Sequence, residues 1–428
     1  MKLKNKITKL YTTGFFHIFF TNILNKILIF CNGIFIVKVL SKESFGIYSY
    51  SQNLLSFFLL FSGLGLNNGL LQFGSKADNE NKRLEIFGYI LKNGILINLG
   101  INILIIFYCI FGNFKIEEGR NILLYMSGFS MFSIIIDLSL CFYRTELKNK
   151  EMSILSFVNT FSTVLFMILG GKFYGLVGVI LGKYIGFIIT LILLIKNIKF
   201  KVLKSYLKKG NISIKLKKEI FKYSITALIN NSIISFIHMI DVFSIGYLIG
   251  NKLLIASYKT ANIIPFGLEF IPAAIMVYIY PYFVKNNENI SWIKENYIKI
   301  LKILMGLNFI IVVLNLCFGD FIITIIFGKE YLDSVKIFKI LCIGYFFTGT
   351  FRVLGANILF ALQKPKFNVY SSLIASISNI VLNVILIKKY GSVGAAYATL
   401  CVFVIWSILV NCFIYKELNK NNYNNKIF

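Results

Sequence analysis

The sequence has little of what enzyme chemistry needs. It holds two histidines, His17 and His238, among 428 residues. No His/Cys/Asp/Glu cluster has metal-ligand spacing, and there is no nucleophile elbow and no phosphate-binding loop. These absences leave no enzyme or metal-site signal and disfavour a catalytic centre, and nothing implies a cofactor. The seven cysteines (Cys31, Cys109, Cys141, Cys317, Cys342, Cys401 and Cys412) all fall in apolar runs without a redox or zinc spacing, so they read as small packing residues. No cleavage site of small residues follows the first apolar run, which reads as an uncleaved helix. Nor is there a large extramembrane loop of the kind a membrane glycan polymerase or ligase would need. Arginine is rare as well: only Arg83, Arg120, Arg144 and Arg352 occur.

What the chain has instead is apolar length. It is 57% hydrophobic with a mean hydropathy of +0.75, a composition that suits a bilayer. A spanning helix needs ~20 apolar residues. About twelve runs qualify: 14–37, 45–73, 86–111, 121–143, 152–171, 175–195, 220–249, 253–284, 300–319, 336–362, 367–387 and 391–415. The expected fold is therefore an all-α integral membrane protein of about twelve transmembrane helices, in two parallel six-helix halves around a central cavity.

The net charge of +27 does not indicate nucleic acid, because the basic residues sit between apolar runs and form no continuous patch. Lys2, Lys4, Lys6 and Lys9 precede the first run, and the connection at 196–219 carries nine lysines. Over alternate connections and both tails, about 27 Lys/Arg fall on one side and about 9 on the other, which by the positive-inside rule places both termini in the cytoplasm. The expected division is a bundle at 1–195, a basic cytoplasmic linker at 196–219 and a second bundle at 220–428.

Two matches relate the halves. YRTELKNK at 143–150 aligns with LFALQKPK at 359–366, followed in each half by a Ser/Thr/Asn-bearing helix and a Gly-rich re-entry, GLVGVILGKYIG at 175–186 and GSVGAAYATLCV at 391–402. FGIYSYSQ at 45–52 aligns with LIASYKTA at 254–261. With an even number of spans per half, this is a parallel repeat, and transporters place substrate between such repeats. Gly178, Gly182 and Gly186 recur at every fourth residue, a spacing that lets backbones pack closely in lipid.

Polar groups in apolar runs mark function or pairing. Ser224, Asn231, Ser235, His238 and Asp241 share one face of the seventh run. Lys259, Asn262 and Glu269 share a face of the eighth, which Pro265 and Pro272 should kink. Asn22, Lys26 and Asn32 mark the first, Ser156, Thr160 and Thr163 the fifth, and Ser372, Ser376, Asn379 and Asn383 the eleventh. Lys26, Lys259 and Arg352 are the deep cations. They either line a lumen or pair with helix neighbours, Lys259 with Glu269 for example. His238 and Asp241 either share a proton or cation, or are held separately, the aspartate by a lysine and the histidine by backbone.

Three stretches carry a family resemblance: KVLSKESFGIYSYSQNLLSFFLLFSGLGL at 38–66, IDVFSIGYLIGNKLLIASYKTANIIPF at 240–266 and LQKPKFNVYSSLIASISNIVLNVILIKKYGSVGAAYAT at 362–399. With these in order, the chain resembles the O-antigen translocase (Wzx-type) flippases of polysaccharide biosynthesis, in the multidrug/oligosaccharidyl-lipid/polysaccharide exporter superfamily. That resemblance implies a flippase moving an undecaprenyl-diphosphate-linked oligosaccharide (an O-antigen, capsule or similar repeat unit) across a bacterial cytoplasmic membrane by alternating access. The implied partners are the lipid-linked oligosaccharide, the bilayer, a coupling proton or sodium ion and other polysaccharide-assembly proteins. Lys26, Lys259, Arg352, Asn231, Asn262 and Asn379 become the expected diphosphate and glycan site. Asp241, His238 and Glu269 become the expected coupling groups. Members line their lumen with several arginines where this chain offers mostly lysine. The alternatives are a multidrug or metabolite exporter of the same fold, a membrane glycosyl-transfer enzyme, and a non-transporting scaffold.

Overall fold

The computed structural model describes residues 15–197 and 212–424. The first four lysines and most of the basic connection at 196–219 lie outside them. The described residues form fifteen principal helices: α1 (Phe15–Val39), α2 (Lys42–Leu59), α3 (Glu80–Phe111), α4 (Glu118–Met126), α5 (Phe129–Thr145), α6 (Asn149–Asn197), α7 (Ile214–Leu248), α8 (Lys252–Leu268), α9 (Phe270–Lys285), α10 (Ile290–Cys317), α11 (Gly319–Phe327), α12 (Val335–Phe347), α13 (Val353–Ala361), α14 (Pro365–Tyr390) and α15 (Ser392–Asn424).

Ten helical stretches among the described residues are long and apolar enough to cross a membrane, and α2 with its continuation Ser62–Gly74, bent by 43°, makes an eleventh. The twelfth is hidden inside α6. A straight helix of 49 residues would run to ~74 Å, more than twice the ~30 Å hydrocarbon core. Instead the chain reverses at Tyr174 and Gly175, where Gly175 has φ 56° and ψ −138°. The two arms then meet at their glycines. A Cβ on Gly178 would stand 1.9 Å from the Gly170 carbonyl oxygen, and one on Gly182 would stand 2.0 Å from that of Phe166. The four-residue glycine spacing is thus the seam of a helical hairpin, and the protein is a multi-pass, all-α membrane protein with about twelve spans among the described residues.

The internal repeat is visible in the backbone. Gly175 and Gly391, 216 positions apart, share one unusual conformation, with Gly391 at φ 62° and ψ −142°. Leu147 and Gln363, again 216 apart, are both left-handed at φ 59° and 58°. A Cβ on Gly394 would lie 2.0 Å from the Leu386 carbonyl oxygen, repeating the Gly178–Gly170 contact at the same offset. The second match holds as well: Ser41 caps α2 and Asn251, 210 positions later, caps α8, each side chain accepting backbone N–H bonds.

The chain forms two compact units, one ending at Ser232 and the other beginning at Ile233. The border falls within α7, beyond the expected boundary at 220. The first turns of α7 belong to unit 1, where Gly65 and Gly69 let Ser224 approach so closely that a Cβ on either would lie 2.4 Å from a Ser224 oxygen. Unit 1 has a core of Leu66, Phe87, Ile134, Leu138 and Phe142. Unit 2 has one around Phe283, Leu304, Leu354, Trp406 and Val410. Of the cysteines, Cys109 and Cys342 are buried, but Cys317, Cys401 and Cys412 are exposed, which corrects their reading as interior residues.

Candidate functional site

The polar residues of unit 2 sort into two groups. The first surrounds Asp241, on α7 and 3% exposed. Its Oδ2 accepts from Tyr258 Oη at 2.6 Å and from Thr399 Oγ1 at 2.7 Å, and its Oδ1 accepts from Asn383 Nδ2 at 2.8 Å. Asn383 Nδ2 also donates to Asn379 Oδ1 at 2.6 Å, and Asn379 Nδ2 to the Ile237 carbonyl at 3.2 Å. Four spans therefore meet at one carboxylate: α7, α8, α14 and α15. A buried carboxylate is tolerated when hydrogen bonds or a counter-charge replace its water. Here neutral donors do so, and no cation among the described residues stands within ion-pair distance. The expected lysine makes no direct ion pair with Asp241, although Lys259 feels its charge at longer range.

The second group is charged. Pro272 cannot supply the N–H that would bond the Leu268 carbonyl, so the eighth span breaks between α8 and α9, and Glu269 stands at the break. Its Oε1 accepts from Arg352 Nη2 at 3.2 Å. Arg352 closes a single π-helical turn, Thr348–Arg352, between α12 and α13, a distortion often found at functional sites. Its guanidinium lies over the Trp406 ring, 4.6 Å from the centroid, and its Nε is buried without a partner. His238 sets its ring edge-on to Phe266 at 5.0 Å, and its Nδ1 is buried without a partner. The charges acting on His238 are those of Glu269, Arg352 and Lys259.

Several expectations change here. His238 and Asp241 make no hydrogen bond to each other. Three residues apart on α7, they make different contacts in this structure, Asp241 with Tyr258, Thr399 and Asn383, and His238 with Phe266. Lys259 and Glu269 do not pair, because Glu269 is taken by Arg352. Lys259 makes no hydrogen bond or ion pair among the described residues. Asn379 is fully buried and donates to the Ile237 carbonyl, joining α14 to α7. Asn262 is also buried, with Oδ1 unpartnered. Ser376 likewise bonds within unit 2, to the Ser372 and Ile233 carbonyls. Asn231 and Lys26 are exposed residues of unit 1 and join neither group.

Sequence reasoning missed Tyr258, Thr399 and Trp406. The first two stood inside the quoted family stretches, but a lone tyrosine or threonine in an apolar run carries no periodic signal. Trp406 reads as an ordinary apolar residue until Arg352 is laid on it.

The fold matches solved transporters of low identity. A structure titled lipid II flippase MurJ, inward closed conformation, superposes with a TM-score of 0.76 at 18% identity, covering 96% of this chain and 90% of that one. An inward-facing multidrug resistance MATE family transporter of the MOP superfamily also gives 0.76, at 10% identity, covering 92% of this chain and 94% of that one. Among curated proteins, the uncharacterized membrane protein MJ1068 of Methanocaldococcus jannaschii is 33% identical over 109 residues, covering 26% of this chain and 21% of that protein. The probable low-salt glycan biosynthesis flippase Agl15 of Haloferax volcanii is 34% identical over 94 residues, 22% of this chain and 20% of that protein. The matched stretches thus span about a fifth of those curated relatives. The profile of the family described as polysaccharide biosynthesis protein matches residues 11–287, well over half of the chain, and the protein belongs to that family.

Proposed function

We propose that the protein is a flippase that carries a lipid-linked oligosaccharide, borne on an undecaprenyl-type diphosphate, from the cytoplasmic to the outer leaflet of a cell membrane. The observation that carries this reading is Arg352, a guanidinium held on the Trp406 face with donors to spare and Lys259 in the same charged group. Arginine suits phosphate because its planar fork matches two oxygens at once. Lys259 adds a compact charge without a committed partner, and His238 adds a third nitrogen. The names of Agl15 and MurJ support the substrate class by analogy.

Asp241 is the candidate coupling group. A carboxylate held by neutral donors alone can take up a proton or a sodium ion without first breaking an ion pair. The Oδ1 of Asn383, buried without a partner, is a further oxygen for a cation. On this reading His238 and Glu269 serve the anionic cargo and leave coupling to Asp241. The carrier residues expected in unit 1 are Lys26 and Asn231, and both termini are cytoplasmic.

The test is export of the lipid-linked glycan in cells depleted of the protein. Depletion should accumulate the lipid-linked sugar on the cytoplasmic leaflet, and the parent chain, but not Arg352→Ala, should clear it. Unimpaired export on depletion, with increased sensitivity to cationic drugs, would instead favour the multidrug exporter reading that the shared fold also permits.

A further inference from the structure

Glu269 stands at the single-residue break between α8 and α9. The negative end of one helix dipole and the positive end of the next oppose each other there and leave its charge to side-chain partners. Burying a carboxylate further requires a partner. Arg352 is that partner, yet the pair is incomplete. An arginine commonly grips a carboxylate through two parallel N–H bonds. Here one Nη2 contact of 3.2 Å is made, and Nε is buried with no acceptor. The side chains are 14% and 23% exposed, so the contact lies near the surface of unit 2 and remains reachable. The pair and Lys259, which makes no hydrogen bond or ion pair among the described residues, all act electrostatically on His238, whose Nδ1 is unpartnered. Arg352 thus keeps unused bonding capacity beside a singly attached carboxylate.

We propose that Glu269 is a built-in stand-in for the anionic group of the cargo, which holds Arg352 on Trp406 and surrenders it to the diphosphate. The proposal rests on the cargo reading of this group given above. It adds a selection rule. Removing one member of a half-buried ion pair leaves the other charge poorly compensated, which is unfavourable. Arg352 therefore exchanges partners only when an anion replaces the carboxylate. A diphosphate can, because it has several oxygens for the fork and for Lys259. A neutral or cationic molecule cannot, and it leaves the latch closed. Trp406 acts here as a positioning residue. By stacking on the guanidinium it keeps the fork in place while the anions exchange.

The experiment uses the full chain in nanodiscs with farnesyl diphosphate as a short probe, and farnesol as its uncharged control. Glu269→Gln removes the competitor and should tighten probe binding about tenfold, equivalent to about 1.4 kcal/mol. Glu269→Asp keeps the charge but is one methylene shorter, and it should shift affinity in the same direction. Farnesol binding should not respond to either change. Arg352→Lys should weaken the probe in every background. If both Glu269 variants bind the probe no more tightly than the parent while Arg352→Lys binds it less tightly, Glu269 is a structural partner and the latch is wrong, with the cargo reading intact. If Arg352→Lys and Arg352→Gln leave probe binding unchanged, the cargo reading itself fails. Collapse of both Glu269 variants, read as loss of monodisperse protein, would also count against the latch, since a stand-in for cargo must be dispensable to the fold.

Discussion

Tyr258 donates its phenolic hydrogen to Oδ2 of Asp241 at 2.6 Å, joining α8 to α7 through a carboxylate that makes no direct ion pair among the described residues. With Thr399 and Asn383 completing the set, the charge is stabilised by dipoles that remain in place whether or not a proton or cation arrives.

That arrangement separates the role of the charge from that of the fold. Asp241→Asn keeps the side-chain shape and can still accept from Tyr258 and Thr399. The variant should reach a normal level in the membrane yet lose most export of the lipid-linked glycan, whereas Asp241→Glu should lose less. Tyr258→Phe removes one donor to a buried charge and should destabilise the protein by about 1–3 kcal/mol, read as a lower Tm in detergent. Full export by the Asn variant would make Asp241 a structural residue.

The location of Glu269 alters a suppression experiment that the sequence invites. On sequence spacing, Lys259 and Glu269 pair along one kinked helix, and neutralising both should restore what neutralising one destroys. In the structure Glu269 belongs to Arg352. Lys259→Gln should therefore lower export, and adding Glu269→Gln should not restore it. Restoration in the double variant would show that Lys259 and Glu269 pair at some stage of transport.

How far the sequence could be read depends on what each signal averages over. The twelve spans rest on runs of about twenty apolar residues, and no single substitution can hide such a run, so they were legible. The repeat was legible because turns constrain sequence: Gly175 and Gly391 need a backbone region that glycine adopts readily. Which polar side chains meet was not legible. His238 and Asp241 share a helix face, but a face is ~100° wide, enough for Asp241 to reach α14 and α15 while His238 turns to Phe266 and the charged group. The stripe at 372–383 was ambiguous for a related reason. Serine and asparagine at helical spacing look the same whether they line water or fasten two helices, and here Asn379 and Asn383 fasten α14 to α7.

The hairpin of α6 makes a packing prediction with an internal control. A methyl group on Gly178 would overlap the Gly170 carbonyl oxygen at 1.9 Å, and backbone cannot step aside as a flexible side chain can. Gly178→Ala should cost about 1–3 kcal/mol by overpacking, with larger side chains abolishing accumulation. At Gly306, on α10, a methyl group would meet nothing within 4 Å, so Gly306→Ala should be neutral or raise Tm through the ~1 kcal/mol helix preference of alanine over glycine. Thermal unfolding of the purified variants in one detergent decides this, and equal effects at both positions would remove the close-packed seam.

The last prediction concerns membrane sidedness. Leu147 and Gln363 take the same left-handed conformation at φ 59° and 58°, each at the turn after the fourth span of its half. Between them the two arms of α6 complete one half and four more spans open the next, an even number, so both turns should lie on one side. Both turns are followed by lysines, Lys148 and Lys150 in the first and Lys364 and Lys366 in the second, which by the positive-inside rule places that side in the cytoplasm with the two termini. Short epitope tags inserted after Lys148 and after Lys364 should be protected from added protease in intact spheroplasts and cut in inverted vesicles. A tag inserted at Gly175, in the turn of the α6 hairpin, should behave in the opposite way. Tags after Lys148 and Lys364 on opposite sides would require an odd number of spans between them. Either the α6 hairpin would then not cross twice, or one helix between the turns would lie along the membrane surface, and the parallel repeat would fall with it.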